Sequence, residues 1–390
     1  MFGSSKKYLH GAVLIWFVSP AVNASEWQFN GFISQGYATA EDSQFVVGKS
    51  GDTANITEAS ITSSWKINDN YRMAGALNFR QWGELAEADV DFDYLFAEYT
   101  RNVNSSLYGA RLGRFKNEFG FYSSTRDVPF TRPSIMLPQS IYADYFRDTQ
   151  LHIDGIDLFG SHALNSGVIH WHTSYGQITV TDDLLRNVNG SVDSGEYDSQ
   201  EFYALDIDYQ MDNARLGVSY YRAGVDFSPI APALYSEGDI VQHTWVFSGQ
   251  YRYEMFELTT EYLTSDRAIN QIIYPELLGE VESRSSGFYA DIRAYLPYQL
   301  EAFVRYDQHY DDIDDKNGAN LELTTGDPRY YAYTYDWTVG LRWFPDSNWM
   351  VAAEYHDVKG ASWVTPLLVR DPTSQAKRWS LFALQLSYRF

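Results

Sequence analysis

From Trp27 to the last residue, apolar and polar side chains alternate in short runs, and clusters of Gly, Pro, Asn, Asp and Ser interrupt them. A period of two puts successive residues on opposite faces of a strand, whereas a helix face repeats every three or four positions. The alternation predicts sixteen strands, at about Trp27–Ala38, Thr53–Asn68, Tyr71–Gln81, Val90–Arg101, Leu107–Lys116, Gln150–His162, Gly167–Thr181, Glu201–Gln210, Ala214–Phe227, Asp239–Tyr253, Phe256–Ser265, Glu282–Leu296, Gln299–Tyr310, Arg329–Phe344, Trp349–Val358 and Ala376–Phe390. Their connections alternate in length. Tight turns are expected near residues 69, 104, 165, 212, 254, 297 and 346, and longer loops at about 39–52, 82–89, 118–149, 182–200, 228–238, 266–281, 311–328 and 359–375. Short turns at one end and long loops at the other are the habit of an outer-membrane meander whose two chain ends lie on the same side.

The two faces differ in chemistry. On the fourteenth predicted strand Tyr331, Tyr333, Tyr335, Trp337, Val339, Leu341 and Trp343 share one face, and Thr334, Asp336, Thr338, Gly340 and Arg342 share the other. On the eighth, Tyr203, Leu205, Ile207 and Tyr209 oppose Asp206, Asp208 and Gln210. On the thirteenth, Leu300, Ala302, Val304 and Tyr306 oppose Glu301, Arg305, Asp307 and His309. A soluble sandwich also alternates, but its apolar face is an aliphatic core. Here the apolar face is aromatic near strand ends, as membrane-interface girdles require, and the polar face mixes both charge signs, which suits an aqueous lumen. An even strand count lets the first strand pair with the last, so no backbone edge is left in lipid.

One segment resists the pattern. Residues 118–149 (EFGFYSSTRDVPFTRPSIMLPQSIYADYFRDT) keep neither period. A connection of this length inside a compact domain belongs either to a functional loop or to a wrong assignment. The segment is expected to fold into the mouth of the barrel.

Composition agrees. The chain holds 11 Trp, 31 Tyr and 23 Phe and no Cys, which excludes a disulfide scaffold or a cysteine-ligated metal. The only long apolar run lies at the N-terminus, so no transmembrane helix is expected. Residues 1–24 read as a secretory signal: Lys6 and Lys7 precede an apolar core at Gly11–Val18, and Val22-Asn23-Ala24 supplies small residues for cleavage. Removing them takes away two lysines and no acids, so the formal charge moves from −22 to −24. So acidic a chain is no nucleic-acid binder, because a phosphate backbone needs a basic surface. The expected organisation is a signal peptide followed by one barrel over residues 25–390.

In the last strand Phe382, Leu384, Leu386, Tyr388 and Phe390 share a face, and the sequence stops on that aromatic. This resembles the C-terminal signature of bacterial outer-membrane barrels, and implies that Tyr388 and Phe390 serve as a signal read by the barrel-assembly machinery. The run Arg111-Leu112-Gly113-Arg114-Phe115-Lys116-Asn117-Glu118-Phe119-Gly120-Phe121, followed by Ser123-Ser124-Thr125-Arg126, resembles the strand leading into the third loop of the phosphate-selective porin O/P group, and the whole chain looks like a bacterial outer-membrane porin. The resemblance implies an all-β, transmembrane antiparallel barrel of about sixteen strands with an inward-folded third loop. It also implies a homotrimer set among outer-membrane lipid and lipopolysaccharide, and a channel for passive diffusion of small hydrophilic solutes.

A lumen of that width discriminates little unless something fills it. Charges on the loop and on the facing wall then bias which ions enter. The loop candidates are Arg126, Asp127, Arg132, Asp144 and Arg147, with Glu118 and Asp148 beside them. By parity, Arg80, Glu98, Arg111, Asp206, Arg215, Asp291, Arg305, Asp336 and Arg342 are expected on the wall, with Arg252, Arg293, Asp208, Glu261, Glu301 and Glu354. A phosphate channel would show a basic ladder with few acids, and the mixed signs favour general diffusion over anion selectivity. Asp311–Gly318 is acidic but lacks calcium-loop spacing. His170 and His172 sit two apart near His162, with no third ligand evident. No metal site, cofactor or catalytic set is expected, since nucleophile elbows and phosphate-cradling loops are absent. Two other classes stay in view: a barrel enzyme, and a non-conducting adhesin or anchor.

Overall fold

In the computed structural model, residues 27–181, 195–230, 236–270, 280–364 and 375–390 are described. The expected signal peptide and much of four expected external loops lie outside these residues. The strands are β1 (Trp27–Glu41), β2 (Asp52–Lys66), β3 (Tyr71–Trp82), β4 (Ala86–Val103), β5 (Ser106–Lys116), β6 (His152–Leu164), β7 (Gly167–Ile178), β8 (Gly195–Ser199), β9 (Phe202–Gln210), β10 (Ala214–Pro229), β11 (Gly238–Tyr253), β12 (Phe256–Asn270), β13 (Glu280–Leu296), β14 (Leu300–Tyr310), β15 (Tyr333–Trp343), β16 (Trp349–Gly360) and β17 (Arg378–Arg389). The segments β8 and β9 pair with successive stretches of β10 and form one stave, so the barrel has 16. Every pairing is antiparallel to a sequence neighbour except the one that closes the ring, β1 with β17.

The seam ends on a close approach. Gly31 and Phe390 exchange backbone hydrogen bonds, Gly31 N to Phe390 O at 3.2 Å and Phe390 N to Gly31 O at 3.0 Å. A Cβ at Gly31 would sit 2.5 Å from the Phe390 ring and 2.7 Å from the Ser60 carbonyl oxygen, so only glycine fits there.

Outward faces carry the predicted apolar residues. Trp337, Val339, Leu341 and Trp343 are each about half exposed, as are Leu205, Val304 and Leu386. A continuous belt of this kind is stable against hydrocarbon and not against water. The same strands turn Asp336, Thr338 and Arg342, or Arg305 and Asp307, inward and bury them.

Two expectations change. The predicted loop at 82–89 shrinks to a turn at 83–85, because Glu87 and Asp89 continue the alternation of β4, with Val90 and Phe92 facing out. The fourteenth predicted strand starts late, at Tyr333, after a 3-10 turn at Arg329–Ala332.

The short β5 positions the site. Pairing between β4 and β5 runs only from Leu95↔Arg114 to Val103↔Ser106, so the upper part of β4 pairs with β3 alone. After Lys116 the chain leaves the wall and turns inward, and it rejoins the wall at His152.

Candidate functional site: the lumen and its inserted loop

The inserted loop is closed at its neck. Asn117 N donates to Leu151 O at 2.9 Å, and the Asn117 side chain to Gln150 O at 3.1 Å. Asp127 is held between Lys116 and Arg147, and Lys116 also reaches Asp93 on β4, which His152 Nε2 meets at 2.9 Å. Further in, Arg126 donates to Tyr142 O at 2.9 Å and to Asp144 at 3.0 Å, and Gln139 donates to the other Asp144 oxygen at 3.1 Å. These contacts give an aperiodic segment the hydrogen bonds that its missing strand ladder would have supplied.

From the neck the loop crosses the lumen and bonds to distant staves. On one side the Glu261 carboxylate of β12 accepts from Phe121 N (2.8 Å), Tyr142 OH (2.6 Å), Ser248 Oγ (2.6 Å) and Tyr289 OH (2.8 Å). On β16, Glu354 accepts from the amides of Ile135 (2.9 Å) and Met136 (2.8 Å). Arg305 of β14 donates to Ser134 Oγ and Met136 O, Arg293 of β13 to Pro133 O, and Arg342 of β15 to the carbonyls of Pro129 and Phe130. Arg132 of the loop forms a two-pronged pair with Glu58 of β2, at 2.9 and 2.6 Å, and touches Gln385 of β17 at 3.2 Å. Burial is the largest influence on Arg132 and lowers its pKa, but the charge and hydrogen bonds of Glu58, with the charges of Asp144 and Glu354, together outweigh it and raise the value. At Arg126 burial wins over the Asp144 charge and the pKa falls.

The loop thus covers the arc from β10 round to β3. It leaves open the arc from β4 to β9, bordered by the turn-proximal ends of β3 and β10, where Arg72 and Arg215 are each the second residue of their strand. On the open arc Arg111 is held between Glu98 at 2.8 Å and Asp157 at 3.4 Å, with its guanidinium 4.3 Å from the Phe159 ring centre. Arg72 of β3, at the edge of this arc, pairs with Glu98 at 2.9 Å. Arg215 pairs with Asp208 at 2.5 Å and lies 4.2 Å over Phe121. Above the neck, a cavity of about 450 Å³ is bounded by Asn78, Arg80, Glu87, Asp89, Asp91, Asp93 and the loop residues Asp127, Arg147 and Asp148.

Most residues singled out in the sequence fall inside the barrel, but in different surroundings. Arg126, Asp127, Arg132, Asp144 and Arg147 are all buried within the loop or against the wall. They were expected to present charge to passing solutes, and instead their charges are turned to one another and to Lys116 and Glu58. Asp291, Arg305, Asp336 and Arg342 are buried beneath the loop. Glu98 is buried behind its arginines, while Arg80, Arg111, Asp206 and Arg215 are half-buried. Asp206 accepts from Ser219 at 2.6 Å. Sequence reasoning missed Glu58, Arg72 and Asp93. Arg72 is the second residue of β3, too near a turn for parity to be trusted, and Asp93 sits where the β3–β4 register shifts. The histidines do not converge: His172 meets Asp157 at 3.2 Å and His162 meets Ser106 at 2.5 Å. Among the described residues no group of three His, Cys, Asp or Glu is placed to hold a metal ion.

No family profile and no curated protein sequence matches the chain. Solved structures do. The chain is similar to OmpT of Vibrio cholerae in a trimer form (10% identity, 93% of this chain and 99% of that one, TM-score 0.56). It is also similar to an anion-selective porin of Comamonas acidovorans (10%, 93% and 99%, TM-score 0.58) and to OmpF of Salmonella typhi in complex with daunomycin (11%, 93% and 97%, TM-score 0.55). At such identities the likeness is one of fold. With its lipid-facing belt, closed ring and inserted third loop, the chain has the fold of the sixteen-stranded porins of Gram-negative outer membranes.

Proposed function

We propose that the protein is an outer-membrane porin, a water-filled channel through which small hydrophilic solutes and ions diffuse passively. The observation that carries this reading is the loop laid across the lumen and bonded to staves on opposite sides, Glu58 on β2 and Glu261 on β12. Sixteen staves enclose more space than side chains can fill, and a loop that occupies part of it sets a size limit. In this reading Arg126, Asp127, Arg132, Asp144 and Arg147 hold the loop in shape, and solutes pass along the arc the loop leaves open. The protein is not an enzyme in this reading and carries no cofactor.

The same reading takes residues 1–24 as a signal peptide and residues 25–390 as one barrel. It has Tyr388 and Phe390 recognised by the barrel-assembly machinery, and a homotrimer embedded in lipid and lipopolysaccharide. The trimer form of OmpT supports that assembly by analogy of fold.

Reconstitution into a planar bilayer is the test. Stepwise conductance with a stable open level is expected. A purified, folded barrel that never conducts would overturn the channel and favour an adhesin or anchor.

A further inference from the structure

Half of β4 has a neighbour on one side only. Its pairing with β5 stops at Leu95↔Arg114, while its pairing with β3 continues up to Trp82↔Ala86. The free stretch, residues 86–94, reads AEADVDFDY. Phe92 O accepts from Arg114 of β5 at 3.4 Å, so Phe92 turns its backbone groups away from β3, and by alternation Val90 and Ala88 do the same. These groups have makeshift partners. Besides the Arg114 contact, Val90 N donates to the carboxylate of the adjacent Asp89 at 2.8 Å. No strand among the described residues supplies the ladder that this edge lacks.

The two faces of the free stretch differ in chemistry. Ala88, Val90 and Phe92 point outward, and Val90 and Phe92 are more than half exposed. Glu87, Asp89 and Asp91 border the cavity of about 450 Å³ on the inner side. Seven acids line that cavity against Arg80, Arg147 and His152. Asp93 and Asp127 are already held by Lys116, so the excess charge lies on the edge strand, where Asp89 and Asp91 are exposed. His152 adds a second sign. It is 5% exposed, and its Nε2–H goes to Asp93, since an ionised carboxylate can only accept. That leaves Nδ1 as an acceptor, and it has no partner among the described residues. The cavity is short of donors and positive charge, and the edge beside it is short of a strand.

We propose that this edge of β4 is a docking site for an extended segment of another protein in which basic and apolar residues alternate. Strand addition completes the missing ladder. Apolar side chains of the incoming segment extend the outward row of Val90 and Phe92, and its basic side chains enter the cavity. Acids on an edge keep wrong strands away, and here they also select, because an acidic or neutral strand gains no charge partner. Docking at the wall does not depend on conduction, so this site stands or falls apart from the channel reading.

The test is fluorescence anisotropy of a labelled peptide of alternating lysine and valine, as long as the free stretch, titrated with the detergent-solubilised, full-length barrel at low salt. Saturable binding is expected, and none for the counterpart of alternating glutamate and valine. Asp89→Asn combined with Asp91→Asn should weaken binding about tenfold, the loss of two exposed charge contacts. Val90→Pro removes one edge N–H and spares the ladder to β3, and it should abolish binding. A lysine–valine peptide N-methylated throughout keeps its charges and loses every backbone donor, and it should not bind. Equal affinity of the N-methylated peptide would reduce the contact to charge alone and overturn strand addition. Absence of saturable binding by the parent peptide would overturn the site, as would unchanged affinity in the aspartate variant. If a substituted barrel does not fold, the comparison of the three peptides on the unaltered protein decides alone.

Discussion

The two arcs of the wall are built from the same alternating pattern and end in different physical states. Under the loop, Arg305, Asp336 and Arg342 are buried, and the arginines spend their donors on loop oxygens. On the open arc and at its edge, Arg111 and Arg215 are half-buried and keep donors turned to water. Strand parity therefore says which side chains point inward and says nothing about which of them are wet. What separates the arcs is a contact made by a segment far away in sequence. In the channel reading, a charge under the loop acts on stability, and a charge on the open arc acts on permeation.

The largest effect is expected from breaking the covered arc. Glu261→Leu combined with Glu354→Leu removes the acceptors of the amides of Phe121, Ile135 and Met136 and of three hydroxyls. Losing several charge-assisted hydrogen bonds costs on the order of 5 kcal/mol, enough to free the loop. Single-channel conductance should rise several-fold, and an unchanged level would mean that these bonds do not hold the constriction.

Arg132→Ala comes next. It strands Glu58 at a site where both partners are buried, a loss of about 3–5 kcal/mol. The folded barrel should unfold at a lower temperature, measured by the loss of its compact gel mobility on heating, with little change in ion preference. A mobility transition at the unaltered temperature would show that the pair contributes nothing.

The comparison sharpens further with single neutralisations. Arg111→Gln should move the reversal potential in a salt gradient toward cations, whereas Arg126→Gln, whose charge is buried against Asp144, should leave it in place. Equal shifts from both would erase the distinction between the arcs.

The smallest effect lies outside both. The Asp315 carboxylate accepts from Leu321 N at 2.8 Å beside the short helix Ala319–Thr325. Burial pushes its pKa up, and the amides of Leu321, Asn320 and Ala319 outweigh this and pull it below the ordinary value. A depressed carboxylate stabilises above its unfolded pKa of about 3.9 and loses that contribution as the pH falls through the folded value. Amides of this helix should keep their hydrogen-exchange protection at neutral pH and lose it below about pH 4, and Asp315→Asn should remove that pH dependence without altering conductance.

The barrel was legible because lipid outside and water inside force a period of two over whole strands. Trp337, Val339 and Leu341 against Asp336, Thr338 and Arg342 needed no tertiary information. The loop was legible only as an exception to that period. Its anchors were less so: Glu58 lies in a stretch, Thr57–Ser64, whose outward face has only Ala59 and Ile61 as apolar residues between Thr57 and Ser63, so alternation has little contrast there. Inward aromatics also ran against the expected division. Phe96, Phe159 and Phe303 face the lumen side of their strands, where each lies under an arginine. The stacking partner is on a neighbouring strand or two residues away, and a rule that sorts by polarity alone cannot see it.

The seam at Gly31 and Phe390 bears on the order of events during biogenesis. Ser34 and Ser387 bond across it although 353 positions separate them in the sequence. Contacts of that separation form late, because nearly the whole chain must be gathered before they repay the entropy of closure. Until then β1 and β17 are open edges, liable to pair with other chains. Closure of this barrel is therefore a single late commitment, and its two outermost strands stay open to wrong pairing until they have met.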